Sequence, residues 1–297
     1  MGDLPPRLCR EPLKNIAIPG SHNSGSYFLD LSSGVAPGSP DTIRHLVSMF
    51  GSAAKNIIQN WSVCQTLCFR DQLEHGVRYF DMRISKQDGK PDIHLAHGLF
   101  AGRVIDAMNE INKWLDEHPK EVVLIDFNHV YQMDETHHLD LFDKFADIFS
   151  HKICPRMDCK DCTLEFLREN KWQVIIFYQD DFAEEYPTMW TSQAIYAPWP
   201  QTPEPAKMVN RLEAFHTRGR HLDKFHVTQG ILTPTGTTVL GNLGSSLKDC
   251  LAASAIRNLQ FFLKEKKIGE KGINIVLVDF VEMGDFIPTV LSLNSKE

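Results

Sequence analysis

The 297-residue chain has no run of lysines and arginines, and its formal net charge is -7. Nucleic acid and acidic lipid are gripped by clustered cations, so this shortage excludes a nucleic-acid footprint and polybasic membrane attachment. No stretch reaches the ~20 apolar residues that span a bilayer. The start, Met1-Gly2-Asp3-Leu4-Pro5-Pro6-Arg7, lacks the apolar core of a secretory leader. Pro6 occupies the place where a myristoylation signal wants Ser or Thr, and Asn294-Ser295-Lys296-Glu297 holds no prenylation cysteine. We expect a cytoplasmic protein that meets a membrane surface only transiently. Seven cysteines, an odd number, fit reduced thiols better than a disulfide framework. Cys159-Lys160-Asp161-Cys162, with Cys154 nearby, lacks a second pair at zinc spacing, Cys64 and Cys68 being only a loose match. No metal and no cofactor are expected.

A glycine-rich phosphate loop is missing too. After the first apolar run the chain reads Pro19-Gly20-Ser21-His22-Asn23-Ser24-Gly25, which is neither GxGxxG nor GxxxxGK[ST]. This removes the usual mark of an open doubly wound sheet. What is present is an alternation of short apolar runs with amphipathic segments. The runs are Asn15–Ile18, Arg78–Ile84, Ile93–Ala96, Val122–Phe127, Gln173–Tyr178, Ala194–Ala197, Phe225–Gln229 and Ile273–Val281. Helices are expected at Asp41–Gln59, Phe69–Glu74, Val104–Glu117, Thr136–Phe149, Thr163–Glu169, Glu204–Thr217 and Ser245–Lys267. Val104, Met108, Ile111 and Leu115 recur at helical spacing with Pro119 as a stop, and Thr163 reads as an N-cap. Eight strands interleaved with helices predict one α/β domain over residues 1–297, a distorted TIM-type barrel.

Chemistry gathers at the strand ends, where such barrels place their sites. Pro19-Gly20 stops the first strand, and His22 follows with a side chain suited to proton transfer near neutral pH. Asp81 and Arg83, two apart, share one face of an otherwise bulky apolar strand, where charge is costly unless paired or used. His94 and His97 face opposite sides of the third run, and His97 is the one at its C-terminal end. Asp279 is a lone carboxylate in the last run, and closure of strand eight on strand one brings it beside His22. Two histidines, two carboxylates and an arginine are the parts of in-line attack on a phosphodiester. One histidine takes a proton from a hydroxyl and the other protonates the leaving oxygen, while the guanidinium holds the phosphate oxygens.

These residues carry a resemblance. Ile18-Pro19-Gly20-Ser21-His22-Asn23-Ser24, Gly76-Val77-Arg78-Tyr79-Phe80-Asp81-Met82-Arg83, Ala96-His97-Gly98 and Val278-Asp279-Phe280, in that order, are similar to the phosphatidylinositol-specific phospholipase C X domain. Asp126-Phe127-Asn128-His129 and Ala197-Pro198-Trp199 add to it. The resemblance spans nearly the whole chain and is strongest to the small animal proteins made of this domain alone. It implies cleavage between phosphate and diacylglycerol with the inositol 2-hydroxyl as internal nucleophile. It also implies His22 as general base supported by Asp279, His97 as general acid supported by Asp81, and Arg83 as the phosphate-binding arginine of the metal-independent bacterial branch. The calcium-dependent animal branch has an acidic residue where Arg83 stands. Asn23 departs from the metal-independent pattern, which has Asp there, and matches a calcium ligand of the other branch. Stations for the inositol ring fall on Asn128 and on Tyr178 or Gln179, with little basic character. Trp199, in an aromatic stretch, is a candidate lipid contact. The implied partner is a phosphoinositide or related phospholipid, and the rival reading is a silent lipid-binding protein on the same barrel.

Overall fold

Residues two apart on a strand share a face, and in this chain the two faces have different destinations. Ile18, Tyr79, Leu124, Ile175, Phe177, Phe225, Val227, Ile275 and Leu277 meet in one apolar cluster, the barrel interior. Their neighbours Ala17, Phe80, Met82, Val123, Ile125, Phe127, Ile176 and Val276 join a larger cluster beneath the helices. The architecture is taken from a computed structural model that describes residues 1–39 and 54–295, together with Arg44 and Gly51.

The strands are β1 (Ile18–Ser21), β2 (Tyr79–Lys86), β3 (Ile93–His97), β4 (Leu99–Arg103), β5 (Val123–Tyr131), β6 (Val174–Tyr178), β7 (Ile195–Tyr196), β8 (Phe225–Gln229) and β9 (Ile275–Val278). Parallel pairing runs β6-β5-β2-β1-β9-β8-β7. The first and last strands do pair, with Ile18 opposite Ile275 and Ser21 opposite Val278.

Two features distort the barrel. The third apolar run is not a stave: β3 lies antiparallel on β2, with Ile84 opposite Leu95, and turns into β4 as a hairpin. The link from Lys86 to Ile93 is far shorter than the dozen or more residues a parallel crossover needs. In addition, no ladder joins β6 to β7 among the described residues. Trp190 bridges Phe177 there and packs edge-on against Phe177 and Phe225, with ring centroids 5.9 and 6.0 Å away. The fold is a TIM-type barrel left open by hydrogen bonding and plugged with aromatic rings.

The helices follow the expected pattern. Val104–Glu117 buries Val104, Met108, Ile111 and Leu115, and the Thr163 side chain caps Leu164–Glu169 by accepting from the Phe166 N–H. Asp134 caps Glu135–Phe149 through a box with His137, one residue ahead of the expected start. The last long helix begins as a π-turn at Lys248–Ala252 before Ala253–Lys264. Of the expected Asp41–Gln59 helix, the part before Ala54 falls outside the described residues except for Arg44 and Gly51, and Ala54–Ser62 is helical. Cys154, Cys159 and Cys162 are buried as free thiols, and burial pushes Cys159 up to about 11.

Candidate active site

The interior faces of the strands change character along their length. Ile18, Leu124, Ile175 and Ile275 at the N-terminal side give way to His22, Asp81, Asp126 and Asp279 at the C-terminal side. Gly20 makes the close pairing of β1 with β2 possible, since a Cβ there would stand 2.8 Å from Tyr79 Cδ1 and 3.2 Å from the Tyr79 carbonyl oxygen.

His22 leaves β1 with its N–H donated to the Val278 carbonyl at 3.0 Å. Its Nδ1 lies 2.7 Å from Asp279 Oδ1, and its Nε2 accepts from Asn23 Nδ2 at 2.8 Å. That pattern describes a neutral ring whose proton sits on Nδ1, the tautomer a general base requires. Asn23 holds φ at 41°, a left-handed conformation that asparagine tolerates. Its backbone N–H donates to Asp81 Oδ2 at 3.0 Å, and its own Oδ1 is buried without a partner among the described residues. Gln65 ties the two strand ends together, donating to the carbonyls of His22 at 2.9 Å and Val278 at 3.1 Å.

Asp81 departs from expectation. Its oxygens serve Asn23 and the Asn128 amide, and Oδ2 lies 3.8 Å from His22 Nε2. The carboxylate therefore belongs to the His22 side of the site and does not support His97. The cause is the hairpin: His97 stands beside Gly98, held at φ 73°, and its Nδ1 is 2.7 Å from the Ser62 carbonyl. Cys64 Sγ is 3.6 Å from that same nitrogen. The two imidazoles face each other at 6.0 Å between centroids. Burial first, then the charges of Arg83 and His22, pull His97 down to about 3.

Arg83 follows a bulge in β2, and its Nε is buried with no partner among the described residues. It shares with His22, Cys64, His97 and Asp279 a cleft of about 840 Å³ open to solvent. Ile58, Trp61, Ile231, Leu232, Val239 and Leu247 make its walls apolar, and Trp199, 43 % exposed, also lines it. Trp190 and Tyr186, from the neighbouring aromatic stretch, pack inward instead.

Of the two stations at the end of β6, Tyr178 is not brought to this site. It is buried on the helix side, its hydroxyl 2.7 Å from His138 Nδ1. Gln179, on the opposite face, donates from Nε2 to Asp126 Oδ1 at 2.8 Å and Oδ2 at 3.0 Å. Tyr79 adds a third hydrogen bond to Asp126 at 2.6 Å. Burial outweighs these bonds and lifts Asp126 to about 7. Sequence reasoning gives neither Asp126 nor Cys64 a role in the site, although it quotes Asp126 in a matching motif and weighs Cys64 as a loose zinc match. The continuing period of two through Leu124, Asp126 and Asn128 marks the first, whereas nothing in the sequence marks the loop that delivers Cys64.

Calcium takes roughly six to eight oxygen ligands, and this floor does not fit it. The Arg83 guanidinium lines this cleft, where it repels a cation, and Asn23 turns its amide nitrogen toward His22.

The PI-PLC X family model matches residues 47–184. PI-PLC X domain-containing protein 3 of Homo sapiens is 42% identical over 99% of this chain and 92% of its own length. PI-PLC X domain-containing protein 2 of Mus musculus is 40% identical over 99% of this chain and 86% of its own. Among solved structures, the phosphatidylinositol-specific phospholipase C of Listeria monocytogenes superposes with a TM-score of 0.68 at 17% identity, covering 100% of this chain and 98% of that one. The Staphylococcus aureus enzyme superposes at 0.66 with 15% identity, over 97% of this chain and 94% of its own. Near-complete coverage at these identities, on a barrel whose histidines meet over one cleft, means that the chain belongs to the PI-PLC X domain family.

Proposed function

We propose that the chain is a phosphoric diester hydrolase of the phospholipase C type, acting on phosphatidylinositol without a metal. The inositol 2-hydroxyl attacks the phosphorus and gives its proton to His22 Nε2, once the Asn23 amide has swung off that nitrogen. The diacylglycerol oxygen leaves with a proton from His97, and a cyclic phosphodiester remains on the inositol. Arg83 holds the non-bridging oxygens. The anionic phosphate offsets the repulsion that Arg83 exerts on His97 and so favours the protonated ring that an acid must be. The observation that carries this reading is the Asp279-held His22 facing His97 at 6.0 Å over a cleft shared with Arg83. Asn23, Asn128 and Gln179 offer the head group neutral donors and acceptors, which favours an unphosphorylated inositol. Trp199 meets the glyceride during brief contact of a cytoplasmic protein with a membrane; no described helix is long and apolar enough to cross one.

Purified protein assayed on phosphatidylinositol vesicles is expected to release diacylglycerol and a cyclic inositol phosphate, with a calcium chelator present or absent. A requirement for calcium, or a preference for a bisphosphorylated inositide, sinks the corresponding part of the proposal. A second reading, a silent inositol-lipid-binding protein, is favoured by the amide seated on His22 Nε2 and the low pKa of His97. Vesicle binding without turnover decides for it.

A further inference from the structure

Cys64 has no part in the mechanism above, yet the cleft floor is built around it. Its Sγ, a ring nitrogen of His22 and a carboxylate oxygen of Asp279 all lie within 4.8 Å of one another, and all three residues line the cleft. A thiol, an imidazole and a carboxylate converging on one point form a donor set of a different kind from that of calcium. Borderline-soft ions prefer sulfur and nitrogen, and zinc is held in tetrahedra of such ligands. His22 Nε2 is covered by the Asn23 amide, so the ring nitrogen that meets Asp279 is Nδ1, 2.7 Å from its Oδ1.

We propose that this floor is an inhibitory site for a borderline-soft divalent cation of the Zn²⁺ class, held by His22 Nδ1, Asp279 and Cys64 Sγ. The ion takes the place of the proton between His22 and Asp279 and displaces the thiol proton. Zn–N, Zn–O and Zn–S bonds form, the thiol proton leaves to solvent, the ring proton moves from Nδ1 to Nε2 as the Asn23 amide turns its Oδ1 toward it, and nothing is oxidised or reduced. Zinc–ligand distances of ~2.0–2.3 Å set tetrahedral donors roughly 3.3–3.6 Å apart, so His22 Nδ1 and Asp279 Oδ1, now 2.7 Å apart, part to admit the ion while the thiol moves toward them. Cys64 lies in the link between the Ala54–Ser62 and Phe69–His75 helices rather than on a stave, so the loop can make that adjustment. The fourth position opens to the cleft. The ion dismantles the His22–Asp279 pair, and Arg83 leaves a hard oxygen-seeking ion no comparable cage, so zinc inhibits where calcium is inert.

The test uses Co²⁺ as a spectroscopic probe on the full chain. One Co²⁺ per chain, with sulfur-to-cobalt charge-transfer absorption in the near ultraviolet and one proton released per ion, is the expected result. Cys64→Ser should abolish the absorption, and Cys64→Ser or Asp279→Asn should weaken Zn²⁺ by more than the roughly 10- to 100-fold that loss of an outer-shell partner costs. Absence of the band in the unaltered chain overturns the site. So does its persistence in Cys64→Ser, which would move the metal to the buried Cys154, Cys159 and Cys162. Should Cys64→Ser not fold, X-ray absorption of the unaltered zinc form decides, a single sulfur at ~2.3 Å supporting the site and none or several overturning it. Binding is read without turnover. Only the inhibition rests on the phosphodiesterase reading, so the failure of one is distinguishable from the failure of the other.

Discussion

His22 and His97 face each other across one cleft, and the protein has furnished them unequally. His22 is 8 % exposed with both ring nitrogens engaged, and its strand end is fastened by Gln65 to the end of β9. On the other side His97 has a backbone carbonyl and a thiol, and Arg83 Nε has no partner among the described residues. A buried donor without an acceptor costs free energy that folding must supply elsewhere. The β1–β9 side is therefore the more fully bonded of the two, Asn23 Oδ1 excepted, and on the proposed function an incoming anion completes the Arg83 side. Preorganised polar groups on one side and an unmet cation on the other are what attack on a phosphodiester needs.

The largest effects should come from deleting the histidines themselves. His22→Ala and His97→Ala are each expected to lower turnover by ~100- to 10,000-fold, the range of general acid–base groups. Their stabilities should separate them. His22→Ala strands the buried Asp279 and should cost about 1–3 kcal/mol, while His97→Ala opens toward the cleft and should cost less. Thermal melts beside the vesicle assay check both. Equal melting temperatures would erase the asymmetry, and wild-type turnover in either variant would remove that histidine from the mechanism.

Asp126 probes the polar floor between the two sides. Its carboxyl is lifted from 3.8 to about 7, so in the folded state the neutral form is favoured. Stability associated with this group is fully present below the unfolded value and is lost as the pH rises through about 7. Asp126→Asn removes that loss. Relative to the parent the variant should gain stability between pH 4 and pH 8, by up to about 4 kcal/mol for a shift of ~3 units. Denaturant melts across that range give the slope, and a flat difference would mean that Asp126 is ionised in the native protein.

Arg83 should behave as the unmet cation. Arg83→Met removes one charge-assisted contact to phosphate, worth about 1.5–3 kcal/mol, or on the order of 10- to 100-fold in turnover. Because its Nε has no partner to lose, the melting temperature should hold or rise. A drop in stability with unchanged turnover would make Arg83 structural, and rescue by calcium would revive the metal-dependent alternative.

How much of this was legible in the sequence follows from one period. Apolar runs with short punctuation announced the barrel, and the return of the last strand to the first brought Asp279 to His22 as expected. The inward set Tyr79, Asp81 and Arg83 continues as Leu124, Asp126 and Asn128 on the neighbouring strand, so the alternation that marked Asp81 also marks Asp126. What the period could not convey was the hairpin. β3 interleaves apolar and polar residues and passes for a stave, and the shortness of the Gln87–Asp92 link betrays its direction. The pairing of Asp81 with His97 came from the resemblance and not from this period; in the structure Asp81 meets Asn23 and Asn128, and His97 meets the Ser62 carbonyl. Cys64 was illegible because an irregular loop, set by tertiary contacts such as the Phe280 N–H donated to the Cys64 carbonyl at 2.7 Å, has no periodicity to read.

The smallest effect tests that same period where it decides between neighbours. Tyr178 and Gln179 are adjacent in sequence, so on a strand they must face opposite ways. Gln179 goes to the interior and Asp126, whereas Tyr178 packs on Phe142 with centroids 4.9 Å apart and meets His138 through its hydroxyl. Tyr178→Phe keeps the ring and removes only that hydroxyl. The loss is one buried hydrogen bond, about 0.5–1.5 kcal/mol, plus part of the cost of an unpaired His138 nitrogen. Nothing on the cleft side changes, so turnover on phosphatidylinositol should stay at the parent value while the melting temperature falls by a few degrees. Gln179→Ala should do the reverse, altering the Michaelis constant for the lipid more than the melt. If Tyr178→Phe instead depresses turnover at unchanged stability, the hydroxyl reaches the head group, the strand end is turned relative to this structure, and Tyr178 regains the substrate-contact role that the resemblance first implied for it.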